Sequence, residues 1–172
     1  MKTRPADCVS SVPFYFHPSS GFPMDIQPVR TDTDWAAART IRTRVFIDEQ
    51  DCPPDEEWDG HDPTSRHVVG RVDGTAVATA RWRTVTHGED IVAKLERFAV
   101  LSDHRGQGYG SELVAYVVDD ARQAGFDTFL VHAQAHLEDW YAGHGFASTG
   151  RTFEEVGIPH VEMVLTDGPA GS

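Results

Sequence analysis

The sequence has 172 residues, of which 40% are hydrophobic, and this length is sufficient for one domain with a sizeable core. No apolar run approaches the roughly 20 residues of a membrane-spanning helix, and residues 1–25 lack the apolar stretch of a signal peptide. The net charge of −12 argues against nonspecific nucleic-acid binding, which depends on lysine and arginine, and is compatible with a cationic small-molecule partner. Two cysteines, Cys8 and Cys52, are too few for a disulfide framework, so we expect a reducing, cytoplasmic environment.

The first part of the chain predicts an irregular arm, a strand and a helix. Residues 1–25 are rich in proline and serine, which is typical of an arm outside the domain, and residues 26–30 predict a strand. Thr31 and Asp34 have the spacing of a capping box, which indicates the start of a helix. Apolar residues then recur at helical intervals: Trp35, Ala38, Ile41, Val45 and Phe46. We expect this helix to end near Gln50, where an acidic loop, residues 48–62, begins.

The rest of the chain alternates between strands and helices. Asp73-Gly74 between two apolar runs is a strong hairpin signal. A helix is predicted after the glycine-rich residues 102–110 and should stop at Gly125, and a shorter helix is expected over residues 137–143. Six further strands are indicated: 68–72, 75–82, 93–101, 129–134, 146–153 and 160–165. These elements predict an α/β (α+β) domain over residues 26–166, with helices on both faces of a mixed sheet, and a frayed tail over residues 167–172.

A glycine-rich turn that joins a strand to a helix is the most informative local feature. The first N–H groups of a helix have no partner within the helix and lie at the positive end of its dipole, so they suit a phosphate or pyrophosphate. Gly106, Gly108 and Gly110 let the backbone approach such a ligand closely, and Arg105 can add a charged contact. A plain strand–helix connection remains an alternative at this point. The turn has neither the Gly-Lys-Ser/Thr ending of a Walker A loop nor the Gly-x-Gly-x-x-Gly spacing of a dinucleotide site.

Two ordered motifs resemble the GNAT superfamily of N-acetyltransferases. Residues 105–110, Arg-Gly-Gln-Gly-Tyr-Gly, are similar to its coenzyme-binding motif, Arg/Gln-x-x-Gly-x-Gly/Ala, at the start of a helix. Residues 141–146, Tyr-Ala-Gly-His-Gly-Phe, resemble its Tyr-x-x-x-Gly-Phe element, and Gln134 lies seven residues earlier, where many members have Asn. Leu137 stands where many members have Ala. The order and spacing of these segments fit the superfamily over residues 26–166, and the resemblance implies a mostly antiparallel twisted sheet of about six to seven strands.

The resemblance also implies a cofactor and a reaction. Members transfer an acyl group, most often acetyl from acetyl-CoA, to an amine by direct attack in a ternary complex, and no metal is implied. The backbone of residues 98–100 is expected to bind the pantetheine arm as an added strand would. The residues expected to bind the coenzyme are Phe98, Ala99, Val100, Arg105, Gly106, Gln107, Gly108, Tyr109, Gly110, Ser111 and Gln134. The acceptor is expected to be a small-molecule or peptide amine, and a homodimer is an open possibility.

Two residues are candidates for proton transfer. Tyr141 is expected to protonate the leaving thiolate, as the resemblance implies, with packing against the pantetheine as the alternative role. Glu96 is expected to be the base, because the attacking amine must lose a proton. Strand alternation would place Glu96 on one face with Lys94, Phe98 and Val100. The alternative is a glutamate that forms an ion pair with Lys94, Arg97 or an arginine of a loop.

Several other groups have weaker functional signals. The acidic loop, residues 48–62, either forms part of the acceptor wall and attracts a cationic amine or is a solvated loop. Its Cys52 is expected to be an inert thiol. A metal site is a less favoured alternative for three residues of the loop and for His67 beyond it. The three are Asp59, His61 and Asp62. One further cluster surrounds the second motif and can supply an alternative base: His132, His136 and His144.

The leading function is therefore an acyl-CoA-dependent N-acyltransferase. A coenzyme A-binding regulatory module without catalysis is the main alternative, and an unrelated nucleotide-binding protein is a third. Turnover distinguishes the first two, and a preference for ATP or NAD over coenzyme A would indicate the third.

Overall fold

Seven strands form one mixed sheet in residues 22–168, the part of the chain that this computed structural model describes. The strands are β1 Asp25–Pro28, β2 Arg66–Val72, β3 Thr75–His87, β4 Asp90–Val100, β5 Thr128–Gln134, β6 Ala147–Glu155 and β7 Ile158–Thr166. Their order across the sheet is β1-β2-β3-β4-β5-β7-β6. Only β4 and β5 are parallel neighbours; the other pairs are antiparallel. The predicted fold class is thus confirmed.

Four α-helices accompany the sheet within the same residues: α1 Asp32–Arg42, α2 Pro54–Glu57, α3 Tyr109–Gln123 and α4 Glu138–Gly143. The predicted capping box is present, since Thr31 Oγ1 accepts from the Asp34 N–H at 3.1 Å and Asp34 Oδ2 accepts from the Thr31 N–H at 3.2 Å. A π-helical segment, Thr43–Glu49, continues α1, so the predicted end near Gln50 is confirmed.

The two faces of the sheet bury different amounts of apolar surface. The larger core lies beneath α3 and α4, where Leu113 and Val117 meet Phe129 and Met163 of the sheet. A smaller cluster beneath α1 and the π-helical segment consists of Ile41, Val45, Phe46, Cys52 and Ala99. Because these clusters contact opposite faces, the prediction of helices on both faces is confirmed. The remaining area on the α1 face carries charged side chains, and this is where the site opens.

The hairpin of β3 and β4 is longer than the sequence predicts. Its ladder continues to the pair His87 and Asp90 around a turn at residues 88–89. Residues 83–87 alternate between half-buried and exposed positions, so their polar side chains obscured the end of the strand. The extension matters because it adds Arg83 to the charged face of the sheet.

A bulge in β4 corrects the predicted alternation along this strand. Arg97 has a left-handed backbone with φ of +58°, and the register shifts so that Thr79 faces Ala99 while Arg81 faces Glu96. The extra residue reverses which side chains share a face. Glu96 therefore lies on the charged face, while Phe98 packs in the core beneath α3. The expectation that Lys94, Glu96, Phe98 and Val100 share one face is wrong for this reason.

A gap opens between β4 and β5 beyond their first two paired positions. Only Ala93 with Phe129 and Lys94 with Leu130 are paired among the described residues of these strands. On the other side of β4, the Leu101 N–H donates to the Val77 carbonyl at 2.9 Å. Since backbone groups alternate in direction along a strand, the N–H and C=O groups of Val100 point into the gap.

The termini fall mostly outside the described residues. The predicted arm, residues 1–25, is described only from Phe22, and the predicted tail only as far as Gly168. In residues 22–168, no helix has both the length and the apolar character needed to cross a membrane.

Candidate active site

The glycine-rich turn ends at the N-terminus of α3. Gly106 and Gly108 have φ values of +76° and +87°, which is the left-handed region that glycine adopts without strain. Gly108 is the residue before the helix, and its carbonyl accepts the Glu112 N–H at 3.1 Å. The N–H groups of the first turn, from Tyr109 onward, have no partner within the helix. These groups form the kind of anion site that the sequence predicts here.

Arg105 connects this turn to two other elements. Its Nε donates to the Val100 carbonyl at 2.8 Å, and its Nη2 lies 2.8 Å from Glu49 Oε2 of the π-helical segment. The guanidinium therefore ties the glycine-rich turn to the end of β4. Its predicted contact with the coenzyme stays a prediction, as does that of Gln107 beside it.

The side chains of Tyr109 and Ser111 point to different surroundings. Tyr109 is buried in the core and its hydroxyl donates to the Phe22 carbonyl at 2.9 Å, so the coenzyme can meet its backbone rather than its ring. Ser111 Oγ lies 3.2 Å from His144 Nε2, and burial lowers the pKa of His144. This contact joins the two motifs that the sequence analysis singled out.

Tyr141 lies in α4 and is completely buried. Its ring meets Trp140 edge-on at 4.9 Å and Phe146 edge-on at 5.7 Å between centroids. Its carbonyl accepts the N–H groups of His144 and Phe146 at 3.0 and 3.1 Å, which closes the turn after the helix. Gln134, at the end of β5, is buried opposite His160 of β7.

Glu96 is held by three cations. Its carboxylate accepts from Arg81 Nε at 3.0 Å and from Arg83 Nε at 3.1 Å, and Lys94 Nζ lies 3.2 Å away. Burial favours the neutral acid, but the attraction of Arg81 and Lys94 and the hydrogen bonds from Arg83 outweigh it and lower the pKa of Glu96 to about 2. A carboxylate with such a pKa is a weak proton acceptor. These contacts favour the ion-paired alternative for Glu96 over the role of base.

The acidic loop is anchored to the sheet by buried arginines. Glu57 is fully buried, forms an ion pair with Arg42 of α1, and lies 2.8 Å from Arg97 Nε at the bulge. Burial raises the pKa of Glu57, and the attraction of Arg97 and Arg42 offsets only part of this effect. Asp59 Oδ2 lies 3.1 Å from Arg97 Nη2. The loop is therefore structural along this stretch and not simply solvated.

Arg81 extends the same network across the sheet. Its Nη2 lies 2.6 Å from Asp59 and its Nη1 lies 2.8 Å from Asp62, while Asp62 also contacts Arg42 at 2.7 Å. These contacts use the carboxylates that the sequence analysis considered for a metal. No group of three or more metal-binding side chains is present in residues 22–168.

The sequence analysis missed this network, although one signal was available. Charged residues alternate with apolar ones in Arg81-Trp82-Arg83 and in Lys94-Leu95-Glu96, which places the charges of both strands on one face of the sheet. Two cations on one strand and an anion on its neighbour, here Arg81, Arg83 and Glu96, indicate cross-strand ion pairs.

A cavity of about 420 Å³ lies on the charged face beside β4. Four parts of the chain form its wall: the loop before β2, the paired strands β3 and β4, His132 of β5, and the end of β6 with the turn to β7. The lining residues are Glu56, Asp59, His61, Arg83, Lys94, Leu95, Glu96, Arg97, His132, Glu155 and Val156. The loop thus borders the cavity, although arginines neutralise much of its charge.

Of the three histidines around the second sequence motif, His132 is the one that lines the cavity. Its Nδ1 lies 3.6 Å from Glu155, and its Nε2 lies 3.4 Å from Glu162. Burial opposes the charge of Glu162, but hydrogen bonds from His87, Arg151 and Thr149 prevail and lower the pKa of Glu162 to about 2. His132 therefore lies between two carboxylates. The remaining candidates lie elsewhere: His136 is exposed and His144 contacts Ser111.

Cys52 is buried in the small cluster beneath the π-helical segment and does not carry a free thiol. The expectation of an inert thiol is therefore corrected, and a catalytic role is excluded because a nucleophile needs a thiolate. Cys8 lies outside the described residues.

Comparisons with known proteins agree with this geometry. A model of the Acetyltransferase (GNAT) family matches residues 34–146. The chain is 33% identical to the uncharacterised N-acetyltransferase YjcF of Bacillus subtilis over 72% of its own length and 86% of that protein. An acyl-CoA N-acyltransferase from Pseudomonas aeruginosa has a TM-score of 0.75 at 29% identity, over 84% of this chain and all 100% of that one.

A more distant structure shares the fold. A GNAT family acetyltransferase from Elizabethkingia anophelis, solved with acetyl-CoA bound, has a TM-score of 0.63 at 13% identity. The similarity covers 83% of this chain and 97% of that chain. The match to the family model extends over most of the chain and includes the glycine-rich turn and Tyr141. The chain belongs to the GNAT acetyltransferase family.

Proposed function

We propose that this protein transfers an acetyl group from acetyl-CoA to a primary amine by direct attack within a ternary complex. The observation that carries the proposal is the gap between β4 and β5, which has the anion site of α3 near its open end and the charged cavity beside β4. Such a gap can hold an extended arm between a phosphate site and an acceptor site. Family membership and the acetyl-CoA complex of the Elizabethkingia structure support the choice of coenzyme.

The coenzyme would be bound largely by backbone groups. The N–H groups of the glycine-rich turn and of the first turn of α3 suit its pyrophosphate. The backbone groups of Val100 that point into the gap suit the amides of the pantetheine arm, as in an added strand. The Val100 N–H is also the candidate donor to the thioester oxygen as negative charge develops there.

The reaction requires a base because the attacking amine is protonated near neutral pH. Glu96 was the first candidate, but its low pKa and three cationic partners make it a weak acceptor. We assign the base role to His132, because it lines the cavity and an imidazole can gain and lose a proton near neutral pH. Nε2 of His132 lies 3.4 Å from Glu162 and its Nδ1 lies 3.6 Å from Glu155, so the two carboxylates orient the ring at the cavity wall.

The reaction then balances without an acyl-enzyme. His132 takes one proton from the ammonium and later releases it through the cavity, and the neutral nitrogen attacks the thioester carbon to form the C–N bond. The C–S bond breaks, the thiolate takes a proton from Tyr141, and the nitrogen gives its second proton back to the tyrosine. The role of Tyr141 rests on its place in the Tyr-x-x-x-Gly-Phe element and on its buried position in the core cluster that also contains Tyr109.

A catalytically silent coenzyme A-binding module remains the competing function. The test is isothermal titration with acetyl-CoA, coenzyme A, ATP and NAD, followed by a free-thiol assay with a set of primary amines. We expect binding of acetyl-CoA and coenzyme A alone, and thiol release that depends on an amine. Binding without amine-dependent thiol release would favour the silent module, and binding of ATP or NAD alone would overturn the proposal.

A further inference from the structure

The ion-pair network around the cavity carries more positive than negative charge. Within residues 22–168, nine arginine, lysine and carboxylate side chains are linked by contacts of 4.0 Å or less, and His67, whose pKa burial lowers, lies 3.7 Å from Asp62. The anions are Glu57, Asp59, Asp62 and Glu96, and the cations are Arg42, Arg81, Arg83, Lys94 and Arg97. Five cations against four anions leave one positive charge without a partner in the network. This excess stands out in a chain with a net charge of −12.

The excess charge lies at the cavity wall. Arg42, Arg81 and Arg97 are almost completely buried, and each contacts two or more carboxylates. Arg83 and Lys94 face each other across β3 and β4, remain 19% and 17% exposed, and share the single carboxylate of Glu96. Two like charges at directly opposite positions repel each other unless an anion lies between them.

The acidic residues of the cavity belong to other walls. Glu56 lies in the loop and Glu155 lies at the end of β6. The nearby His132 and, more weakly, the charge of Lys94 lower the pKa of Glu155, so the acidic and cationic walls are within electrostatic reach of each other. The cavity therefore has two poles: Arg83 and Lys94 on the sheet, and carboxylates on the loop and on β6.

We infer that the acceptor carries a carboxylate in addition to its amine, and that Arg83 and Lys94 bind this carboxylate. This inference rests on the proposed acetyl transfer and replaces the purely cationic acceptor that the composition favours. Arg83 keeps Nη1 free of any hydrogen bond within the described residues, and Lys94 has donors beyond the one facing Glu96. The amine would then lie toward His132 and the acidic residues. An amino acid or a short peptide with a free C-terminus has this combination of groups.

The experiment compares acids with matched amides. Glycine, diglycine and triglycine are each offered as the free acid and as the C-terminal amide, with 1,5-diaminopentane as a purely cationic acceptor, and thiol release is measured. We expect at least one acid to exceed its amide by about tenfold in kcat/KM, the size of effect that one charged hydrogen bond gives.

A pair of variants locates the effect. Lys94→Met should abolish the preference for the acid by raising its KM, while the amide is unaffected, because Arg81 and Arg83 still hold Glu96. Arg122→Met is the matched control, since Arg122 is 44% exposed, contacts Asp167 and does not line the cavity. Acetyl-CoA affinity, measured in parallel, reports whether each variant keeps its coenzyme site.

The outcomes separate the two proposals. A preference for the acid that Lys94→Met removes and Arg122→Met keeps supports the inference. Equal or better use of amides or of the diamine overturns it and leaves acetyl transfer in place. If acetyl-CoA binds but no member of the set is acetylated, this acceptor class is also wrong. If acetyl-CoA does not bind the wild-type protein, the proposed function itself fails.

Discussion

The two ends of the candidate site, one proposed for the coenzyme and one for the acceptor, differ in whether backbone groups or side chains form them. At the coenzyme end, backbone geometry provides the ligand groups: the left-handed glycines, the first turn of α3 and the edge of β4. At the acceptor end, long charged side chains from α1, the loop, β3 and β4 meet in one network. The first end depends on local conformation, whereas the second depends mainly on contacts between residues far apart in the sequence, such as Arg42 and Glu57 or Arg81 and Glu96, each 15 positions apart.

This difference indicates how each end responds to mutation. A backbone site changes when a residue alters φ and ψ or blocks the approach of the ligand, and its side chains can vary. A buried charge network fails when one partner is removed, because the remaining charges lose their compensation in a medium of low dielectric. The acceptor end should therefore be fragile in stability, and the coenzyme end should be fragile in affinity.

The largest effect is expected from Glu57→Ala. The change leaves Arg42 and Arg97 without their shared carboxylate at a fully buried position, and breaking such a pair costs about 3–5 kcal/mol. Glu56→Ala is the matched control, because the neighbouring residue is exposed and outside the network, and about 0.5 kcal/mol or less is expected. Urea unfolding measures both. Equal, small losses for the two variants would restore the solvated-loop alternative.

The next effect concerns the base. His132→Gln keeps a polar side chain but cannot carry a proton, so kcat should fall about 100-fold while acetyl-CoA affinity stays the same. The exposed His136→Gln is the control and should retain full activity. Steady-state kinetics with a saturating acceptor give the answer. A His132→Gln enzyme within about threefold of wild type would return the role to water or to Glu96.

The sequence was sufficient to predict the backbone conformation at the proposed coenzyme end because its requirements are local. Residues 105–110 and 141–146 adopt the turn and helix that their glycines and apolar spacing predict. The capping box at Thr31 and the hairpin at Asp73-Gly74 were correct for the same reason. Each of these features depends on residues a few positions apart.

The acceptor end could not be predicted in the same way. The bulge at Arg97 reverses the faces of β4, and nothing local marks it, since arginine is not a residue that favours a left-handed backbone. Glu57 is one of several acidic residues in its loop, and only tertiary contacts distinguish it from Glu56. The role first given to Glu96 illustrates the problem, because its three cations come from two strands whose pairing register was unknown.

A smaller effect is expected when the proposed acid is removed. Tyr141→Phe keeps the packing against Trp140 and Phe146 and removes only the hydroxyl, so kcat should fall about tenfold with little change in stability. Tyr116→Phe, a half-buried tyrosine of α3, serves as the control. If Tyr141 only orients the pantetheine arm, kcat will stay within about twofold and the affinity for acetyl-CoA will change instead.

The smallest effect tests the backbone character of the coenzyme end. Gly108→Ala and Gly74→Ala both add a methyl group at a left-handed position, with φ of +87° and +79°, and neither methyl meets another atom within 4 Å. Each should lose about 1 kcal/mol of stability through backbone strain alone. Gly108 precedes α3, so its methyl group or the shift that relieves the strain disturbs the anion site, and the Kd for acetyl-CoA should rise about five- to tenfold. Gly74 lies in the turn between β2 and β3 and should leave that Kd unchanged. Equal Kd values for the two variants, measured by titration calorimetry, would mean that side chains rather than backbone groups bind the coenzyme, and the contrast between the two ends of the site would be lost.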